Sequence, residues 1–183
     1  YTDYLSEAGY ICGLSGKWHL GDSQKQQKGF SHWYVHQSGG GSYYDAPMIR
    51  EGKRVCEQGY ITELITRDAV RFLNEHAGKN APFYLGVNFT APHTPWIHNH
   101  PQKYLDLYRD CAFDSCPVEQ RHPWQIDFAE FNYDRTEMLK GYFAATSALD
   151  VGVGEIREEL KRLKLDQDTL ILFSSDNGFN CGH

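Results

Sequence analysis

An α/β fold with a mainly parallel sheet flanked by helices is predicted by three features of the sequence. Short uncharged runs at 10–16 (YICGLSG), 82–89 (PFYLGVNF) and 169–174 (TLILFS) read as strands covered on both faces, since a strand with one wet face alternates polar and apolar residues. Two longer stretches, 60–76 and 134–164, repeat apolar residues at the three-to-four spacing of a helix. Strand-like and helix-like segments alternate along the chain, as a parallel sheet with crossover helices requires.

In chain order, residues 2–9 (TDYLSEAG) read as the end of a helix stopped at Gly9, and 10–16 as a short buried strand. The alternation in 30–36 (FSHWYVH) predicts a half-exposed strand. Gly39-Gly40-Gly41 and Glu51-Gly52-Lys53 bound a second β segment, an excursion or hairpin. Between 60 and 76, Ile61, Leu64, Ile65, Ala69, Phe72 and Leu73 share one helical face, ended by Gly78. The run 82–89 predicts a central strand. The region 92–133 is rich in Pro, His and aromatics, with a short helix near 103–108, and reads as a loop-rich functional insert. Asp134, with Glu137 three residues on, gives a capping-box-like helix start. Met138, Leu139, Tyr142, Phe143, Leu149, Val153, Ile156, Leu160 and Leu163 carry that helix's apolar stripe, which is core. The run 169–174 predicts one further strand.

A length of 183 residues allows one domain or a large part of one. With 40% hydrophobic and 23% charged residues, disorder, collagen and coiled coil are excluded. No apolar run approaches the roughly 18 to 20 residues that cross a bilayer, and no basic-then-apolar leader is present. A net charge of −6 without a Lys/Arg run argues against a nucleic-acid partner, so any anion must be met by a local site. The chain starts at Tyr1 and stops at His183 just after an apolar run and polar loop, so it reads as an excerpt of a longer protein. Five cysteines, at 12, 56, 111, 116 and 181, form no C-x-x-C pair, against a zinc ribbon or thioredoxin-type site; Cys111 and Cys116 could close a small disulfide loop.

Each of the three uncharged runs is followed at its carboxyl end by a polar cluster: GKWHLG (16–21), TAPHTPW (90–96) and SSDNG (174–178). Ligands of open parallel sheets bind outside the carboxyl ends of the strands, so these loops are expected to converge on one pocket. They offer Lys17 as a cationic donor, His19 and His93 as groups that transfer protons near neutral pH, and Asp176 and Asn177 as hard oxygen ligands for Ca²⁺ or Mg²⁺. A cationic, metal-bearing pocket suits hydrolysis of an anionic ester. No G-x-S-x-G elbow, P-loop or G-x-G-x-x-G supplies a nucleophile or cofactor site.

The string LSEAGYICGLSGKWHLG (5–21) resembles the second signature of the sulfatases, and APHTP (91–95) and SDNG (175–178) are similar to that family's later active-site segments, in the same order. The resemblance implies an alkaline-phosphatase-like α/β core, of which 1–183 would be the central part, and hydrolysis of sulfate esters by a formylglycine made from Cys or Ser in a C/S-x-P-S/A-R motif. It implies that Asp176 and Asn177 are calcium ligands, with Asp176 also accepting a proton from the formylglycine hydrate. It further implies that Lys17 contacts formylglycine and sulfate, that His19 is the base expelling sulfate, and that His93 binds sulfate and assists the leaving oxygen. A small-molecule or carbohydrate sulfate ester, a formylglycine-generating or sulfatase-maturing enzyme, and a periplasmic, secreted or lysosomal location follow from the same resemblance.

The departures are specific. No C-x-P-S-R or S-x-P-S-R occurs, Cys116-Pro117 being followed by Val118; the family's first acidic metal pair and its later active-site lysine are also missing. The polypeptide alone is therefore expected not to turn over. A phosphonate monoester hydrolase or phosphodiesterase of the same superfamily, and a non-catalytic sulfate-ester-binding homologue, are the alternatives. His98 and His100 shape the substrate pocket or face solvent; Trp96, Trp124 and Tyr108 stack on substrate or pack. Of these, His98 and Trp96 are the substrate-binding candidates beside Lys17 and His93.

Overall fold

The computed structural model describes residues 1–39, 41–118, 123–124 and 133–179. Its elements are α1 (Thr2–Glu7), β1 (Ile11–Gly16), β2 (His32–His36), β3 (Pro47–Arg50), β4 (Lys53–Cys56), α2 (Ile61–His76), β5 (Phe83–Asn88), α3 (Gln102–Leu105) with a 3₁₀ turn (Asp106–Tyr108), and α4 (Arg135–Arg162). The strands form one sheet in the order β4-β3-β2-β1-β5. β1 pairs in parallel with β2 and β5, while the β3–β4 hairpin extends the sheet antiparallel from β2. The sheet is thus mixed and mostly parallel in strand direction.

One face is covered by α2 and α4. The predicted stripe of α2 is buried, with Ile61, Leu64 and Ile65 packed on Tyr34, Met48, Ala144, Ala145 and Ala148. Asp134 caps α4 by accepting from the backbone N–H of Thr136 (2.8 Å) and Glu137 (3.4 Å); Glu137 turns instead to Lys140, so the capping box is half formed. The opposite face is covered without a long helix. Leu14, Trp33, Val35 and Ile49 cluster there under Trp18 and Phe30, and the Trp33 indole N–H donates to the Ser23 carbonyl at 2.8 Å.

The reading of 30–36 as half-exposed is corrected: every residue of β2 is buried, because the polar side of its alternation, His32, Tyr34 and His36, meets Asp68, the apolar stripe of α2 and the Thr90 hydroxyl. β5, expected to be central, is an edge strand among the described residues. The predicted strand at 169–174 has no regular secondary structure and joins no ladder among the described residues, and Leu170 and Phe173 are 83% and 76% exposed. An apolar run becomes a strand only where a neighbour satisfies its backbone groups. Cys111 and Cys116 are both free, and Cys181 lies outside the described residues.

Gly16 sets the carboxyl end of β1. Its φ of +115° lies in the region open to glycine, and a Cβ there would stand 2.0 Å from the Asn88 carbonyl oxygen. That close approach lets the Lys17 backbone N–H donate to the Asn88 carbonyl at 2.7 Å, while the Asn88 amide donates back to the Lys17 carbonyl at 3.0 Å. The two loops that follow β1 and β5 leave the sheet tied together.

Candidate active site

A cavity of about 390 Å³ opens at the carboxyl ends of β1, β2 and β5. The β1 loop contributes Lys17 and His19, the β2 loop Ser38, Gly39 and Gly41, and the β5 loop Thr90, His93 and Thr94. No carboxylate is among these lining residues. With one fixed cation, two imidazoles and several hydroxyls, the wall is built to receive an anion.

Each loop is held from below. His93 is exposed at its ring, but its backbone is anchored twice: its N–H donates to the Thr90 carbonyl (2.9 Å), and its carbonyl accepts from the Tyr43 hydroxyl (2.6 Å). The His93 Nδ1 stands 2.7 Å from the Thr94 carbonyl oxygen. A carbonyl only accepts, so Nδ1 carries the hydrogen and Nε2 is left free to take or return a proton. His19 is exposed, its ring beside Gly39.

Beneath the cavity lies a buried layer of His36, Tyr43, Tyr60 and His100. His36 is wholly buried, with Nε2 2.7 Å from the Thr90 hydroxyl. Burial, and then the Lys17 charge, push the His36 imidazole down to about 4. His100, also buried, has Nδ1 2.9 Å from the Tyr60 hydroxyl and is pushed down to about 4 by burial. Burial also raises Tyr43 and Tyr60, so the whole layer is neutral at pH 7.

Lys17, His19 and His93 thus meet in one cavity. Asp176 and Asn177 do not join them: both are exposed and bonded within their own turn, where Asn177 N–H donates to the Asp176 carboxylate at 2.9 Å and Ser175 Oγ donates to the Asn177 carbonyl at 2.5 Å. Their preceding segment has no ladder to hold it at the sheet end. Trp96 is a core residue, 2% exposed, its indole N–H donating to the Pro92 carbonyl at 2.8 Å and its ring packed against Tyr142 and Phe179. It has no face left for a substrate. His98 is exposed with its ring edge-on to Tyr133, and it does not line the cavity. Tyr108 packs on Phe113 and Phe143, its hydroxyl 2.7 Å from Ser147 Oγ.

The sequence reading missed His36, Ser38, Tyr43 and Thr90 as a group. The signal was present: β2 also ends in a polar, glycine-rich cluster, QSGGGS (37–42), the pattern used for the other strands. Taking β2 as half-exposed removed its loop from consideration.

A profile of the Sulfatase family matches residues 2–183. The chain is 24% identical over 251 residues to the N-acetylglucosamine-6-O-sulfatase of Bacteroides thetaiotaomicron, covering 100% of this chain and 44% of that protein. It is 29% identical to the choline-sulfatase of Rhizobium meliloti, covering 97% of this chain and 42% of that one, and 29% identical to the ulvan-active sulfatase of Formosa agariphila, over 97% and 34%. The chain spans less than half the length of the curated relatives it matches. Among solved structures, Ps i-CgsB in complex with k-i-k-neocarrahexaose superposes with a TM-score of 0.69 at 26% identity, over 90% of this chain and 36% of that one. BT4656 in complex with its substrate D-glucosamine-2-N,6-O-disulfate does so with a TM-score of 0.71 at 21% identity, over 90% and 47%, a likeness of fold.

Proposed function

This chain belongs to the sulfatase family and carries part of its alkaline-phosphatase-like α/β core, and on that footing we propose that its strand-end cavity holds the sulfate group of a sulfate ester while the ester is hydrolysed. The observation that supports this is the meeting of Lys17, His19 and His93 on a wall without a carboxylate. A sulfate monoester presents non-bridging oxygens that share one negative charge. The Lys17 ammonium complements that charge where it is densest, and its stabilisation grows as charge builds on the departing oxygen. His93 carries its fixed hydrogen at Nδ1, so a proton held at Nε2 is the one it gives to the leaving alkoxide. His19, which also lines the cavity, is the base in the release of sulfate.

The described residues do not fit the family's formylglycine. The one Cys-Pro pair places Cys116 in a buried cluster with Phe113, Met138 and Leu139, away from the cavity. We assign the nucleophile to the whole protein outside this chain, with a formylglycine-generating or sulfatase-maturing enzyme as the separate partner that would make it. A divalent cation is likewise not fitted, since no group of three His, Cys, Asp or Glu able to hold one occurs among the described residues. Asp176 and Asn177 are proposed as two of its ligands in the whole protein. No helix among the described residues is long and apolar enough to cross a membrane, and a periplasmic, secreted or lysosomal setting is the family expectation we adopt.

The test is hydrolysis of a chromogenic aryl sulfate by the whole protein, produced together with a formylglycine-generating enzyme. Lys17→Ala and His93→Ala are each expected to reduce kcat/KM by roughly a hundredfold or more. Faster turnover of an aryl phosphonate than of the sulfate would move the assignment to the sister class. Full activity in both variants would overturn the proposed site.

A further inference from the structure

His36 is wholly buried, yet one of its ring nitrogens has no hydrogen-bond partner among the described residues. Nε2 meets the Thr90 hydroxyl at 2.7 Å, while Nδ1 is buried and unbonded. Two arrangements satisfy the first contact. Either Thr90 donates its hydroxyl hydrogen to Nε2, which places the ring hydrogen on Nδ1, or Nε2–H donates to Thr90 Oγ1 and Nδ1 keeps a lone pair.

What surrounds Nδ1 selects the second. A buried N–H without an acceptor costs about 1–3 kcal/mol, and orphaned donors are rarer in proteins than under-used acceptors. A Cβ on Gly41 would stand 3.1 Å from Nδ1, so a glycine methylene packs beside that nitrogen, a group that offers an N–H no acceptor. Burial and the neighbouring Lys17 charge exclude a second ring proton, so the choice is between these two neutral arrangements.

With Nε2–H donating, the hydroxyl hydrogen of Thr90 must point elsewhere. Thr90 lines the cavity, and its hydroxyl has no hydrogen-bond partner besides His36 among the described residues. We propose that Thr90 is a substrate-binding donor, its O–H directed by buried His36 at an oxygen of the tetrahedral oxyanion held beside Lys17. This rests on the sulfate-ester reading of the cavity and deepens it. His36 is a positioning residue: it does not touch the anion, but it fixes the hydroxyl rotor of a residue that does. Because the Thr90 carbonyl also accepts the His93 N–H at 2.9 Å, the same buried ring steadies the turn that carries His93.

The experiment measures inorganic sulfate in two ways on the whole, matured protein: as a direct ligand by calorimetry and as a competitive inhibitor of aryl sulfate turnover. Thr90→Val should weaken sulfate about tenfold or more, the loss of a hydrogen bond to a charged group, and Thr90→Ser should stay within about twofold of wild type. His36→Phe should weaken sulfate in the wild-type background and have no further effect beside Thr90→Val, since it acts through that hydroxyl. A purely structural role would lower the melting temperature and leave sulfate affinity unchanged, and that result overturns the proposal. Should Thr90→Val fail to fold, the wild-type protein still decides: long-range ¹H–¹⁵N correlations of His36 should show the Nε2–H tautomer, and an Nδ1–H tautomer overturns it. If Lys17→Ala abolishes sulfate binding and Thr90→Val does not alter it, only this inference falls. If Lys17→Ala also binds sulfate normally, the reading of the cavity itself falls.

Discussion

Lowering the pH from 7 to 4 should unfold this protein through two imidazoles rather than through its carboxylates. His36 and His100 are 0% and 6% exposed, and both are pushed from the ordinary 6.5 to about 4 by burial, with the Lys17 charge adding to the effect at His36. Around His36 stand Lys17 and the Thr90 hydroxyl; around His100 stand the Tyr60 hydroxyl and the Tyr43 ring, edge-on at 4.5 Å. None is an anion that could welcome a second ring proton. Both folded values lie below the unfolded one, so between about pH 6.5 and 4 the unfolded chain binds more protons and stability falls as pH falls. At 1.36 kcal/mol for each unit, each ring withdraws about 3 kcal/mol by pH 4, and the pair about 6 kcal/mol, which rivals the net stability of an ordinary domain. Urea unfolding followed by tryptophan fluorescence, from pH 7.5 down to 4, should show this slope. His36→Asn and His100→Asn should each remove about half of it, however much they lower stability at pH 7. A stability flat between pH 6.5 and 4.5, or an undiminished slope in the double variant, would refute the reasoning, as would NMR titration of both rings near 6.5.

Asp68 is buried and receives His32 Nε2 at 2.8 Å, Arg50 at 2.8 Å and Arg71 at 2.7 Å; burial works to raise its carboxyl, but His32, Arg71 and Arg50 together hold it below the carboxylate range. Asp68→Asn strands the Arg50 and Arg71 guanidinium groups and should cost about 3 kcal/mol by urea unfolding at pH 7, near the low end for a broken buried pair because both keep access to water. Because its folded value is depressed, the stability Asp68 contributes is lost only below the ordinary carboxylate pKa of 3.8, outside the histidine window. Gly16→Ala forces a Cβ onto the Asn88 carbonyl and breaks the tie that sets Lys17, so sulfate affinity should fall and the melting temperature drop, with a strain of order 1–3 kcal/mol; an unchanged sulfate affinity in a folded variant would contradict it. The exposed run Leu170, Ile171, Leu172 and Phe173 should make the isolated 183-residue chain self-associate. Leu170→Lys with Phe173→Lys should reduce the particle size seen by light scattering, and a monodisperse unsubstituted chain would count against this.

The parts of the fold that were legible in the sequence are those whose environment is local. The α2 stripe from Ile61 to Leu73 was read correctly because a helix satisfies its own backbone, leaving periodicity to report the buried face. The α4 stripe begun by Asp134 was read in part, since Met138, Leu139 and Leu160 are buried but the centre of that face is the small residues Gly141, Ala144, Ala145, Ala148 and Gly152. The strand β1 was equally legible, and the polar loops after β1 and β5 brought Lys17, His19 and His93 into view. What failed depended on distant partners. β2 alternates as if half wet, but its polar side is taken up by Asp68 at His32, the α2 stripe at Tyr34 and Thr90 at His36, and nothing within 30–36 announces those partners. The run 169–174 has the composition of a strand and lacks the ladder. Trp96 could stack or pack by its chemistry alone; the Pro92 carbonyl and the Phe179 ring decide it.

The arrangement of the cavity follows from the same division. Its exposed groups, Lys17, His19 and His93, sit on loops, where a short motif can be read but a side chain is poorly fixed. Each loop is then tied to a neighbouring strand or loop: Lys17 to Asn88 at the end of β5, Thr90 to His36 at the end of β2, and the His93 carbonyl to Tyr43 beyond it. The ties run between segments far apart in sequence, the one between Thr90 and His36 wholly buried, so the positions of the donors are set before any anion arrives. A site that bound its anion only by flexible surface cations would lose that advantage, because the ordering would be charged against each binding event. The cost here is carried by the fold, in two imidazoles kept neutral at about 4 and two buried ring nitrogens left without partners. The acid sensitivity and the preorganised cavity are therefore linked through His36: replacing that ring should relieve part of the first and degrade the second.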